Sequence, residues 1–212
     1  MAAVPPSTDP LRPPTSEEPP APTRERTLAA AARLLGSEGT TGLSVRRIAS
    51  EAGVSTIAIY HYFGGKDGIL EALYQDGFQA LEDALDAVPR TGDPIQDAEE
   101  LAMAYCEVAR SRPTYYEIMF SRPVPGFEPS HESVARAMRT WNAFYTNFER
   151  AEAEGRLTMP AADAALLVWS SGHGLLMLQL AGNALASADT DRLVRGGLRS
   201  LLAVVTRPGA VA

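Results

Sequence analysis

Cysteine, histidine and lysine are nearly missing from this 212-residue chain. The one cysteine, Cys106, has no partner for an internal disulfide, and no apolar signal segment opens the sequence. A reducing, cytoplasmic setting is the expectation that follows. His61, His131 and His173 are widely spaced, which leaves no metal-ligand set and no Cys-His pair for nucleophilic chemistry. No Ser-His-acid order and no glycine-rich phosphate loop is found either. Ser170-Ser171-Gly172-His173-Gly174 superficially suggests a nucleophile site, but it falls within helical periodicity, without the strand and strained turn such a site needs. The expectation is a protein that is not an enzyme, with no cofactor and no metal. Lys66 is the only lysine among 19 basic residues.

Charge is unevenly placed. The net charge of -7 disfavours a chain that coats nucleic acid over its whole surface. Within residues 24–68, however, Arg24, Arg26, Arg33, Arg46, Arg47 and Lys66 outnumber Glu25, Glu38, Glu51 and Asp67. A small basic head on an acidic body permits a local DNA-binding surface.

The first 22 residues hold eight prolines and almost nothing apolar, so residues 1–22 read as a disordered tail. From Arg24 onward helical periodicity dominates, with no convincing strand alternation and no repeat. Leu28, Ala31, Ala32 and Leu35 mark one face of a first helix that Gly39 can close. Ser44 is placed to cap a second helix, with Leu43 and Ile48 as its hydrophobic staple. Ser55 repeats the device with Val54 and Ile59, and Gly53 supplies the sharp turn between the two. Ala49, four residues before Gly53, leaves room for two helices to cross closely. This is the helix-turn-helix pattern.

Longer helices follow over residues 66–87, from Pro94 to about Arg110, from Pro113 onward, and over 131–154, 161–186 and 190–206. Pro123, Pro125, Gly126 and Pro129 mark a loop. The predicted fold is all-α, with about nine helices. A three-helix helix-turn-helix domain spans 23–68, and a second helical domain, which the resemblance given below implies to be effector-binding and dimerising, spans 69–212.

The recognition helix, about residues 55–62, places its first turn in the major groove. Ser55, Thr56, Ile57 and Ala58 are the candidates there, with Ile57 and Ala58 suited to thymine methyl groups. Ser44, Tyr60, His61 and Tyr62 suit phosphate contacts, which orient the head without reading sequence. Lys66 follows Gly64-Gly65 at a helix start, where backbone N–H groups, helix dipole and ammonium together can hold a phosphate. An ordinary solvated lysine is the plainer alternative.

The segments Ser44-Val-Arg-Arg-Ile-Ala, Ala52-Gly-Val-Ser-Thr-Ile-Ala-Ile-Tyr and Phe63-Gly-Gly-Lys-Asp-Gly-Ile-Leu resemble the DNA-binding domain of tetracycline-repressor (TetR) type regulators, over about residues 24–73. Trp169 with His173-Gly174 is similar to the Trp-His-Gly class of regulatory domain. The resemblance implies a base contact for Arg46 and supports a phosphate role for Lys66. The family more often runs Tyr-Tyr-His-Phe where this chain has Tyr60-His61-Tyr62-Phe63, which leaves open which of positions 61 and 62 meets phosphate. It also implies a homodimer joined through the last two helices. Residues 164–188 carry no charged side chain. Their scattered polar groups and the lack of a flanking basic cluster favour a helix buried by a partner subunit over a membrane span.

The middle helices supply Tyr105, Tyr115, Met119, Phe120, Trp141 and Phe144, with Trp169 and His173 one turn apart on a neighbouring helix. These eight are the ligand-binding candidates, although aromatic residues at helical spacing are equally ordinary core. The functional expectation is a repressor that binds a palindromic double-stranded DNA operator as a homodimer and is released by a small-molecule effector, with no membrane involvement. The rival is an effector-free architectural or accessory DNA-binding protein.

Overall fold

The computed structural model describes residues 21–121, 124–181 and 190–208. The expected disordered tail lies almost wholly outside these. The described residues form nine α-helices and one short 3-10 turn, with no strand. The chain divides into two compact units, one running to Leu73 and the other starting at Tyr74.

In the first unit, α1 (Ala21–Glu38) buries Leu28, Ala31, Leu34 and Leu35. A 3-10 turn (Gly39–Gly42) leads into α2 (Val45–Ala52). The Ser44 hydroxyl oxygen accepts the Arg47 N–H at 3.3 Å, so one otherwise orphaned donor of the first turn is satisfied. Gly53 closes α2 at φ 63°, in the left-handed region where a side chain is strained. Its N–H returns to the Ala49 and Ser50 carbonyls. α3 (Thr56–Phe63) begins with the same cap, the Ser55 oxygen accepting the Ala58 N–H at 3.0 Å. Ile48 and Ile59, one from each of these helices, are almost fully enclosed together with Leu28, Ile69, Leu70 and Leu73. Of the residues expected to staple these helices, Leu43, Ile48 and Ile59 are buried and Val54 is half-buried.

α4 (Lys66–Asp86) starts in the first unit. Near its start, Gly68 packs so closely that a β-carbon there would lie 1.6 Å from the Phe63 carbonyl oxygen. The absence of a side chain is therefore what permits α3 and α4 to meet as they do.

The second unit comprises the rest of α4 with α5 (Pro94–Ser111), α6 (Pro113–Phe120), α7 (His131–Ala153), α8 (Ala161–Leu180) and α9 (Thr190–Val205). Asp93 caps α5, accepting the Ile95 and Gln96 N–H groups ahead of Pro94. One turn on, Asp97 is fully buried and accepts from the Thr91 N–H and hydroxyl and from Arg150. Burial pushes its carboxyl upward, but those donors outweigh burial and hold it below the usual carboxylate range. Leu101, Ile118, Phe148, Val168, Leu176 and Leu202 form the core. Val124 and Phe127 pin the proline-bearing loop by burying their side chains. α8 ends at Leu180 with Ala181 as its cap, short of the expected 186; residues 182–189 lie outside the described set.

Candidate DNA-binding surface and effector cavity

On the first unit, α3 turns apolar and aromatic side chains into solvent. Ile57 is 73% exposed and Tyr60 57% exposed, which a monomeric surface gains nothing from displaying. His61 is exposed as well, and Tyr62 meets its ring edge-on at 4.7 Å. Thr56 and Ala58 are half-buried. Ser44 and Ser55 already use their oxygens as helix caps, so towards a phosphate they retain only the hydroxyl proton.

The arginines of this unit divide by partner. Arg47 makes a two-pronged ion pair with Glu38, and Arg33 pairs with Glu51 at 3.1 Å. The hydrogen bonds from Arg47 first, and then its charge, pull the Glu38 carboxyl down against the opposing effect of desolvation. Among the described residues Arg46 and Lys66 have no ion-pair partner. Both line one concavity with Ser44, Arg47 and Tyr60. Four residues expected to touch DNA, from two helices and a helix start, are thereby brought together. Gly65, at φ 122°, gives the turn before Lys66 a backbone conformation that a residue with a side chain rarely adopts. That Glu38 neutralises Arg47 was not readable from the chain, because the two are nine residues apart across the 3-10 turn.

The second unit holds a partly open cavity of about 400 Å³, within the range of small-molecule pockets. Tyr105, Met119, Phe120, Trp141, Phe144 and Trp169 line it, with Tyr74, Phe78 and Leu81 of α4 and Met138 of α7 besides. Sequence reading passed over these last four. Their helical stripe was visible, but periodicity does not distinguish a residue facing a cavity from one facing core. Tyr115 is not in the lining; the Arg112 guanidinium lies 5.3 Å from its ring centre.

His173 stands behind the lining and is tied to it. The Tyr105 and Tyr116 hydroxyls are 2.6 Å apart, and lie 3.0 and 2.5 Å respectively from His173 Nδ1. The imidazole stacks on Trp169 at 5.0 Å. Burial holds His173 below its ordinary pKa, so the ring is neutral at physiological pH. Burial likewise pushes both tyrosine hydroxyls upward. Among the described residues no group of three or more His, Cys, Asp or Glu is placed to hold a metal ion.

A helix-turn-helix head, two free cations beside a protruding helix, and a separate cavity-bearing helical unit define a class of bacterial regulator. Residues 28–73 match the model for bacterial regulatory proteins of the tetR family, and residues 98–201 match that for the tetracyclin repressor-like C-terminal domain. The HTH-type transcriptional regulator Rv1816 of Mycobacterium tuberculosis is 29% identical over 119 residues, 53% of this chain and 50% of that protein. BetI of Rhizobium meliloti is 34% identical over 138 residues, covering 64% of this chain and 57% of that one. The chain thus matches about half the length of these curated relatives. A Rhodococcus protein of unknown function superposes with a TM-score of 0.71 at 26% identity, over 92% of this chain and all of that one. The TetR-family regulator PfmR of Thermus thermophilus shares the fold, with a TM-score of 0.65 at 20% identity over 84% of this chain and 97% of its own.

The chain belongs to the TetR family, and this places it among the DNA-binding transcriptional regulators. The C-terminal match carries the general repressor-like description and leaves the Trp-His-Gly class as an expectation.

Proposed function

We propose that the protein is a ligand-responsive repressor that binds a palindromic operator as a homodimer in the cytoplasm and is released by a small molecule. The observation that carries this reading is the pairing, in one chain, of a head that leaves Arg46 and Lys66 unpaired beside an exposed recognition helix with a body that holds an apolar cavity. An architectural protein has no use for such a cavity, so its presence supports an effector. Effector binding favours a dimer geometry in which the two recognition helices no longer match successive major grooves. The effector shifts that equilibrium only by its difference in affinity for the two geometries.

Dimerisation is supported by α8 and α9. α8 is long and apolar enough by composition to cross a membrane, yet only 33% of its apolar window is buried within the protein. Leu167, Leu175 and Leu178 stand exposed on it, as do Leu193 and Val204 on α9. A second copy covering these faces accounts for them with no membrane present.

In the complex, Ile57 and Ala58 meet base edges, Arg46 reads a base, and Ser44, Tyr60, Lys66 and one or both of His61 and Tyr62 hold phosphates. The test is fluorescence anisotropy on the intergenic DNA beside the protein's own gene, at rising salt and with competitor DNA. Lys66→Ala weakens binding to all sequences alike and lowers the salt slope by about 1 per contact, whereas Arg46→Ala relaxes sequence preference at a cost of roughly 1–3 kcal/mol. Unchanged affinity for Lys66→Ala at both low and high salt refutes the phosphate role. Binding that competitor abolishes at every salt concentration refutes the repressor.

A further inference from the structure

If the cavity is the effector site, its lining dictates the class of effector. We infer that the effector is a small, uncharged, largely apolar molecule bearing a hydroxyl or N–H donor that the Tyr105 oxygen accepts. Three separate observations lead there.

The first is size. A cavity of about 400 Å³ falls toward the lower end of the range that small-molecule pockets span. A molecule of two or three fused or linked rings fits.

The second is charge. Among the described residues lining the cavity there is no Asp, Glu, Lys or Arg. An ion entering it would leave water without meeting a counter-charge, a strongly disfavoured step. The aromatic rings of the lining, Trp141 and Trp169 among them, are what attracts a cation, and this makes a quaternary ammonium the sharpest competitor to an uncharged effector.

The third is where the hydroxyl protons already go. The Thr140 hydroxyl donates to the Ala137 carbonyl at 2.7 Å. Along the shortest contacts, the Tyr105 hydroxyl donates to Tyr116 and the Tyr116 hydroxyl donates to His173 Nδ1. That chain requires a neutral imidazole with an unprotonated Nδ1, and burial favours the neutral ring. The Thr140 and Tyr105 hydroxyls are then committed as donors inside the protein, and what these two offer an occupant is lone pairs. Tyr105 also receives the Trp169 indole N–H, so its oxygen already acts as an acceptor. At Tyr105 and Thr140 a ligand carbonyl or ether finds no hydroxyl proton, whereas a ligand hydroxyl finds an acceptor.

Titration calorimetry of the purified full chain with four matched probes tests this: a naphthol, its methyl ether, the corresponding naphthoate and the naphthyl-trimethylammonium ion. The naphthol is expected to bind at least about ten-fold tighter than each of the other three. In Tyr105→Phe its advantage over the ether is expected to vanish. The ranking in the unaltered protein stands by itself if that variant does not fold. Naphthoate or ammonium binding as tightly as naphthol overturns the uncharged class and leaves the cavity as an effector site. Equal binding of naphthol and ether overturns the donor. No saturable binding by any of the four overturns this inference and the effector-site reading together.

Discussion

One methyl group on Gly68 tests how the recognition helix is held. A β-carbon at this position lies 1.6 Å from the Phe63 carbonyl oxygen and 2.7 Å from its carbonyl carbon. Both atoms are backbone, so no rotamer change relieves the overlap, and α3 and α4 must part by more than an ångström. Overpacking of this kind costs about 1–3 kcal/mol. Alanine in place of glycine within a helix would ordinarily gain up to about 1 kcal/mol, so the sign itself is diagnostic. For Gly68→Ala we expect a net loss of about 2 kcal/mol, which for a chain of this length lowers the melting temperature by roughly 4–8 °C. Since Phe63 closes the helix that carries Ile57 and Tyr60, DNA affinity should fall as well. Ala72→Gly, one turn along α4 and only half-buried, serves as control and loses the ordinary ~1 kcal/mol of helix propensity. Thermal unfolding followed by circular dichroism, with operator binding in parallel, reads both effects. A Gly68→Ala protein that melts at or above the parent temperature and binds DNA normally would show this reasoning to be wrong.

Two further expectations concern the second unit. Asp97→Ala leaves the Thr91 donors and the Arg150 guanidinium without their acceptor, at a cost of about 1–3 kcal/mol in urea unfolding at neutral pH. Because the carboxyl is held below its ordinary value near 3.9, its contribution is complete above that pH and is lost as pH falls through the lower folded value. The gap between parent and variant should therefore close below about pH 4; a gap that stays constant to about pH 3 contradicts the assignment. Leu178→Glu places a charge on an apolar face of α8 that is 53% exposed. In sedimentation it should convert dimer to monomer with helix content retained, and an unchanged dimer would remove α8 from the interface.

Local features of this chain were legible because their causes are local. Ser44 and Ser55 cap the helices they were expected to cap, and Gly53 takes the left-handed turn between them. Prolines 94 and 113 open α5 and α6 where periodicity resumes. The expected end of α8 passed over Gly182-Asn183, residue types that commonly follow a helix C-terminus, because the uncharged run continues beyond them. Tyr115 was expected at the cavity, yet it is Tyr116 that meets Tyr105 and His173, and neighbours on a helix point about 100° apart. An eight-residue helix rich in apolar positions gives no means of choosing its inner face. The Tyr105–Tyr116–His173 cluster joins residues up to 68 positions apart. Such meetings depend on how helices cross, which periodicity within one helix does not encode.

Both tryptophans of the chain, Trp141 and Trp169, stand in the wall of the cavity, and the first unit has none. The protein therefore carries its own optical label, confined to one of its two units. Light absorbed by indole alone reports occupancy of the body, while events at the head stay dark in that channel and must be followed through labelled DNA. Effector arrival and operator departure can thus be timed separately in one cuvette with the unmodified protein, and the order of the two signals distinguishes capture of DNA-bound dimers from trapping of dimers already released.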